Sequence, residues 1–145
     1  MSVLAPTKRF GDVREGEELP EKSIELTPTL IISSAIASRD YQDVHHDVDL
    51  AKKRGTKNIF MNILSTNGIV QAYVNEWAGP EAFMRGIEIK LGAPNYAGDT
   101  MTLSGKVVAR SAPDGERGDV EVEVVGKNSI GNHVTEKVRV ALPRE

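Results

Sequence analysis

Ile59-Phe-Met-Asn-Ile-Leu-Ser-Thr-Asn-Gly-Ile-Val-Gln-Ala-Tyr-Val-Asn-Glu-Trp77 is the stretch on which the fold turns. Ile59, Ile63, Val70, Tyr73 and Trp77 recur at helical spacing, and Phe60, Leu64, Ile69 and Val74 widen the apolar face. The pattern predicts one long helix over 59–77, apolar on several sides and therefore mostly buried. Gly68 inside it costs about 1 kcal/mol relative to alanine, which points to a close packing contact. Gly79-Pro80 ends the helix.

Downstream, the period changes from helix to strand. Ile87, Ile89 and Leu91 alternate with Glu88 and Lys90; Met101, Leu103, Val107 and Ala109 form the next set. Pro113-Asp114-Gly115 is turn chemistry. Val120, Val122 and Val124 alternate with Glu121 and Glu123, Gly131-Asn132 marks a hairpin, and Val134, Val138, Val140 and Leu142 line the last strand. Four late strands joined by turns imply an antiparallel sheet with one wet face, the other covered by the long helix. Upstream, Met1 to Arg9 reads as a loose arm, Phe10 to Pro20 as an acidic, glycine-punctuated segment, and Ser23 to Leu26 as a short first strand. Thr27-Pro28 is a helix start, with threonine as cap and proline at the first helical position. Leu30 to Ala37 predicts a short buried helix. Asp47 to Gly55 predicts another, capped by Asp47 and stopped by Gly55. One strand, short helices, a long helix and a meander wrapped around it make an α+β hot-dog architecture, expected as a single domain over residues 1–145.

Between the first two helices lies Arg39-Asp-Tyr-Gln-Asp-Val-His-His-Asp47, with two of the chain's three histidines and the carboxylates of Asp40, Asp43 and Asp47. Asp40 and His45 stand five apart. In a continuous helix that spacing splays two side chains; in an irregular loop they can converge on one water as a general acid–base pair. The bland alternatives are a loop cap for Asp40 and a partly buried polar contact for His45. His45 and His46 with Asp43 or Asp47 also have the ligand types of a metal site.

The 145 residues carry a formal net charge of −3 and no long basic run, which argues against nucleic acid as a partner. Without cysteine there is no disulfide, thiolate nucleophile or cysteine-ligated metal. The N-terminal residues lack the apolar core of a signal peptide, and no apolar run is long enough to span a bilayer. The cytoplasm is the expected location.

The chain resembles the MaoC-like, (R)-specific enoyl-CoA hydratases of the hot-dog fold. That family's signature is Asp-x-Asn-Pro-x-His. Here it is Asp40-Tyr41-Gln42-Asp43-Val44-His45, with the Asp-to-His spacing kept and Gln42-Asp43 in place of Asn-Pro. Phe10 to Pro20 is similar to the family's opening segment, and Pro94 to Thr100 to its later Gly-Asp-Thr turn. Where the family has His-Gly before its long helix, Met61-Asn62 stands here. The Asp40 to Asp47 stretch and the 59–80 segment resemble, more narrowly, small subunits of two-chain hydratases acting on steroid side-chain CoA thioesters.

The resemblance implies a larger MaoC-like partner chain, with a homodimer possible when that partner is absent. It implies a bulky enoyl-CoA substrate whose groove is lined by Phe60 and Met61, and no metal or separate cofactor, CoA being part of the substrate. Asp40 and His45 are the implied catalytic pair, activating water and moving protons. The backbone N–H of Asn62 is the implied donor to the thioester oxygen, helix N-termini being suited to anions. Lys52, Lys53, Arg54 and Lys57 are read as a solvated face, with contact to CoA phosphates the alternative; Tyr73 and Trp77 are read as core. Competing functions are a non-catalytic hot-dog subunit completing a partner's acyl tunnel and an acyl-CoA thioesterase.

Overall fold

The computed structural model describes residues 5–111 and 115–145. Five strands and three helices follow one another as β1 (Glu18–Glu25), α1 (Pro28–Ala37), α2 (Val48–Lys53), α3 (Ile63–Ala78), β2 (Phe83–Leu91), β3 (Thr100–Ser111), β4 (Arg117–Lys127) and β5 (Asn132–Pro143). Short 3₁₀ turns cover Phe10–Asp12 and Asp43–His45. The sheet is antiparallel in the order β1-β3-β4-β5-β2. It is therefore not a plain meander: β3, β4 and β5 follow in sequence, while β2 joins beyond β5 and β1 beyond β3. Val120, Val122 and Val124 of β4 and Val134, Val138, Val140 and Leu142 of β5 are buried in one cluster with Val70, Tyr73 and Val74 of α3. The sheet wraps one long helix, which is the α+β hot-dog arrangement. Among the described residues, no helix is long and apolar enough to cross a membrane.

Several local expectations change. The long helix starts at Ile63 rather than Ile59, because Ile59 to Met61 is extended and held by the 93–98 loop. Met61 N donates to the Asn95 carbonyl, Ala97 N donates to Ile59 O, and Phe60 bridges Tyr96. Ile63 and Leu64 lie on the exposed side of the first turn, so the helix is buried on fewer sides than its composition suggested. Gly68 has open space where a Cβ would stand, so no close contact explains it. β1 begins at Glu18, not Ser23, because the backbone of Glu18 to Glu25 pairs with β3 across a register shift between Leu19 and Lys22. α1 buries only Ile31 and Ala35, and its Ile36 is exposed.

Of the expected loose arm, residues 1–4 lie outside the described part, but Thr7 and Lys8 are packed. Lys8 N donates to Ala78 O, and Thr7 backbone occupies the place of any Cβ at Gly79, whose φ is +94°. The turn expected at Pro113-Asp114 also lies outside the described residues.

Two caps read from sequence are present. Thr27 Oγ1 accepts from Leu30 N at 3.0 Å, and Asp47 Oδ1 from Leu50 N at 3.0 Å. Such caps satisfy N–H groups that have no partner within the helix.

Candidate active site

α1 ends in a way that delivers Asp40 to a fixed place. Arg39 N donates to Ile36 O and Asp40 N to Ala35 O, closing the last turn with Arg39 in the left-handed region at φ 57°. This pairing is a Schellman termination with arginine where glycine is usual. The chain then runs through Tyr41 and Gln42 into the Asp43–His45 turn, where His45 N donates to Gln42 O.

The two candidate side chains meet. His45 Nε2 lies 3.3 Å from Asp40 Oδ2. His45 is 7 % exposed, and its Nδ1 lies 2.7 Å from the carbonyl oxygen of Phe60. A carbonyl only accepts, so Nδ1 carries the hydrogen and Nε2 is turned toward Asp40. The Phe60 ring supports the imidazole edge to face, with centroids 4.9 Å apart. This explains why Phe60 is extended: its carbonyl serves the histidine instead of a helix.

Asp40 accepts from Gln42 N at 3.3 Å on Oδ1 and from Asn62 Nδ2 at 3.1 Å on Oδ2. The Asn62 contact is the main influence holding its carboxyl below the ordinary range. Partial burial opposes this, while the Gln42 N–H and then His45 reinforce it. Asp40 thus stands ionised beside the imidazole, with its side chain 23 % exposed and open to a water or substrate.

Asn62 is 2 % exposed and is the N-cap of α3, its Oδ1 accepting from Ser65 N at 3.0 Å and from the Ser65 hydroxyl. Its Nδ2 also donates to Ser38 Oγ at 3.0 Å. Among the described residues, the backbone N–H groups of Asn62, Ile63 and Leu64 donate to no acceptor in the chain. They form an unsatisfied helix end beside the Asp40–His45 pair, suited to an oxyanion. Exposed apolar side chains flank the site along the chain: Ile36 near the end of α1 is 51 % exposed, Tyr41 beside Asp40 66 %, and Ile63 and Leu64 in the first turn of α3 45 % and 52 %.

The remaining residues of the loop point elsewhere. Arg54 grips Asp43 through Nε and Nη2, and this pairing is the main cause of the lowered Asp43 carboxyl. His46 Nε2 donates to the Tyr41 carbonyl at 3.1 Å, and Asp47 caps α2. Among the described residues, no three His, Asp or Glu side chains converge as metal ligands do. Arg54 therefore belongs to an ion pair rather than to a free basic face. Met61 is buried at 3 % exposure in the core, so it does not line an open groove. Tyr73 is core, with its hydroxyl donating to Pro20 O at 2.8 Å, and Trp77 is half-buried.

Sequence reasoning missed Ser38, Ser65, Thr66 and the third histidine. His133 is the extra residue where the β4–β5 register shifts between Gly126 and Lys127. A bulge of this kind re-aims a side chain, and His133 is buried beside an equally buried Val134. Its Nδ1 donates to Ala93 O at 2.6 Å and its Nε2 accepts from the Thr66 hydroxyl at 2.8 Å, pinning the start of α3 to β5. Burial pushes its pKa down, so it stays neutral in this bridge. No signal local to His133 could have revealed this role; the bridge depends on a bulge formed between two distant strands.

A family model described as "MaoC like domain" matches residues 10–128. The chain belongs to the MaoC-like family. This MaoC-like chain is 48% identical over 127 residues to the 3-oxo-4,17-pregnadiene-20-carboxyl-CoA hydratase beta subunit of Mycobacterium tuberculosis, covering 88% of this chain and 95% of that one. Among solved structures, it matches a chain of the Mycobacterium tuberculosis ChsH1-ChsH2 complex with a TM-score of 0.83 at 48% identity, covering 89% of this chain and 98% of that chain. The R-hydratase PhaJ1 from Pseudomonas aeruginosa matches with a TM-score of 0.81 at 18% identity, over 94% of this MaoC-like chain and 86% of the other. That last likeness speaks for the fold alone.

Proposed function

We propose that this chain is the dyad-bearing subunit of a two-chain enoyl-CoA hydratase whose substrate carries a bulky, steroid-type acyl group. The observation that carries the chemistry is the 3.3 Å approach of His45 Nε2 to Asp40 Oδ2 beside the open start of α3. The near-complete match to a hydratase beta subunit supports the two-chain assembly and the substrate class. Cβ of an enoyl thioester must receive the water oxygen, Cα must receive a proton, and the thioester oxygen carries enolate charge in between.

A water bound between Nε2 and the Asp40 carboxylate has a base on each side. Because Asp40 is held ionised, the water's proton passes to His45 Nε2 as the oxygen bonds to Cβ, and the imidazolium is stabilised by Asp40. The N–H groups of Asn62, Ile63 and Leu64 receive the enolate oxygen. His45 then returns the proton to Cα, so both residues end in their starting states and one water has been added.

The apolar surface of Ile36, Tyr41, Ile63 and Leu64 suits a hydrophobic acyl group and a covering partner. The partner is a larger MaoC-like chain, and CoA enters as part of the substrate with no separate cofactor. The test is to express this chain alone and with a larger MaoC-like chain encoded beside it. Light scattering reads the assembly, and turnover is compared for crotonyl-CoA and a steroid side-chain enoyl-CoA. A stable monomer hydrating crotonyl-CoA as fast as the complex hydrates the steroid thioester contradicts both the assembly and the substrate class. Release of free thiol from acyl-CoA points to a thioesterase instead.

A further inference from the structure

We propose that the side chain of Asn62 is a positioning residue for the dyad: its amide aims the Asp40 carboxylate at His45, separately from its role in capping α3. This inference rests on the proposed hydratase reading and deepens it. The polarity of the amide is fixed by its surroundings. Ser65 N can only donate, so the Asn62 atom facing it at 3.0 Å is Oδ1, and Nδ2 is turned the other way. There its two hydrogens meet two acceptors, Ser38 Oγ at 3.0 Å and Asp40 Oδ2 at 3.1 Å. The Ser38 hydroxyl spends its own hydrogen on the carbonyls of Ser34 and Ala35 at the end of α1, at 2.8 and 3.0 Å. Ser38 is therefore an acceptor toward Asn62 and anchors it.

One buried amide thus ties together the end of α1, the dyad loop and the start of α3, with every donor and acceptor engaged. At 2 % exposure it has no solvent with which to exchange these partners. A hydrogen bond donated to a carboxylate favours its charged form. The charged surroundings of Asp40 are few. His45 faces it from the 3₁₀ turn, Asp43 is held by Arg54, and His46 is turned to the Tyr41 carbonyl. The first turn of α3, Ile63 to Thr66, and all of α1 contain no ionisable side chain, while Arg39 precedes Asp40 in the chain. Asn62 is the buried neutral donor that holds the carboxylate in place.

The experiment separates capping from positioning. Serine and aspartate cap helices about as well as asparagine, and neither presents the amide N–H to Asp40. Asn62→Ser and Asn62→Asp are purified in the two-chain complex beside wild type and Asp40→Asn. kcat/KM for hydration of a steroid side-chain enoyl-CoA is measured from pH 5.5 to 8.5, and melting is followed for each.

The expected result is that both variants assemble but melt below wild type, having lost the amide's bonds to Ser38 and Asp40, and lose about tenfold or more in kcat/KM, carried by kcat, as for a lost charged hydrogen bond. In Asn62→Ser the loss is similar from pH 5.5 to 8.5, because a carboxyl with an ordinary value of 3.8 is ionised throughout that range. Asn62→Asp loses more toward pH 5.5, because a second carboxylate beside the first raises the pKa of the pair. If Asn62→Ser does not fold, Asn62→Asp alone decides by that acidic loss. Unchanged kcat/KM in a folded variant, with Asp40→Asn inactive, overturns the positioning role and leaves the dyad standing. Full activity in Asp40→Asn overturns both.

Discussion

Glu136→Gln provides a direct test of how the core balances polarity against packing. Glu136 stands on the inward face of β5 between Val134 and Val138, paired across the sheet with Val124 of β4 and Ile89 of β2. It is fully buried, and among the described residues neither carboxyl oxygen has a hydrogen-bond partner. Burial pushes its pKa from 4.5 up to about 7. The folded chain therefore keeps a proton here that the unfolded chain releases from about pH 4.5 upward. Stability contributed by the neutral acid is complete below pH 4.5, declines as pH rises toward 7, and is gone above it. The gap between 4.5 and about 7 corresponds to roughly 3 kcal/mol, a large part of the roughly 5–15 kcal/mol typical of a domain.

Glutamine has similar shape and does not titrate. Urea unfolding at pH 5, 6, 7 and 8 should therefore show a wild-type decline that Glu136→Gln lacks, making the variant the more stable protein at pH 8. The difference between the two proteins matters, because the buried neutral His133 works in the opposite sense. Its lowered pKa removes stability as pH falls below its ordinary value of 6.5. That contribution is shared by both proteins and cancels in the comparison. Parallel pH curves for wild type and Glu136→Gln would refute the reasoning.

Two further stability predictions follow from the elements that place the site. Thr66→Val keeps the shape but leaves His133 Nε2 buried without a donor, so it should cost about 1–3 kcal/mol in urea unfolding. Arg39→Gly relieves a left-handed backbone at φ 57° and should leave stability unchanged or raise it by up to about 1 kcal/mol, read as a higher midpoint at unchanged m value.

Parts of this molecule were legible because their causes are local. Thr27 and Asp47 cap helices with side chains that reach only three residues onward. The alternation of Val120, Val122 and Val124 reports a half-buried strand without knowledge of its neighbours. The Asp40–His45 pairing was readable from composition and spacing together with a family signature. What was hidden depends on distant partners. Ile59, Phe60 and Met61 look helical, but their backbone is claimed by the Asn95–Ala97 loop and by the His45 ring. Glu18 to Lys22 carries a weak strand pattern and becomes a strand because β3 pairs with it. The sequence points only to the backbone N–H of Asn62; the role of its side chain depends on Ser38, 24 residues away, and Asp40, 22 residues away, which the fold brings to its amide. Glu136 shares the inward parity of its valine neighbours, so the alternation places it inward, while the lack of any partner for its carboxyl among the described residues depends on the surrounding core.

The central claim is that Asp40 and His45 act together on one water. Its most direct test is the steady-state hydration rate of the two-chain complex carrying Asp40→Asn, His45→Ala, both, or His46→Ala, with assembly verified for each. Each dyad variant should lose about 10²–10⁴ in rate, with the double variant little worse than either single one because the residues work as a unit. His46→Ala, whose ring is tied to the Tyr41 carbonyl, should stay near wild type. Activity retained in both Asp40→Asn and His45→Ala contradicts the account and assigns the chemistry to the partner chain.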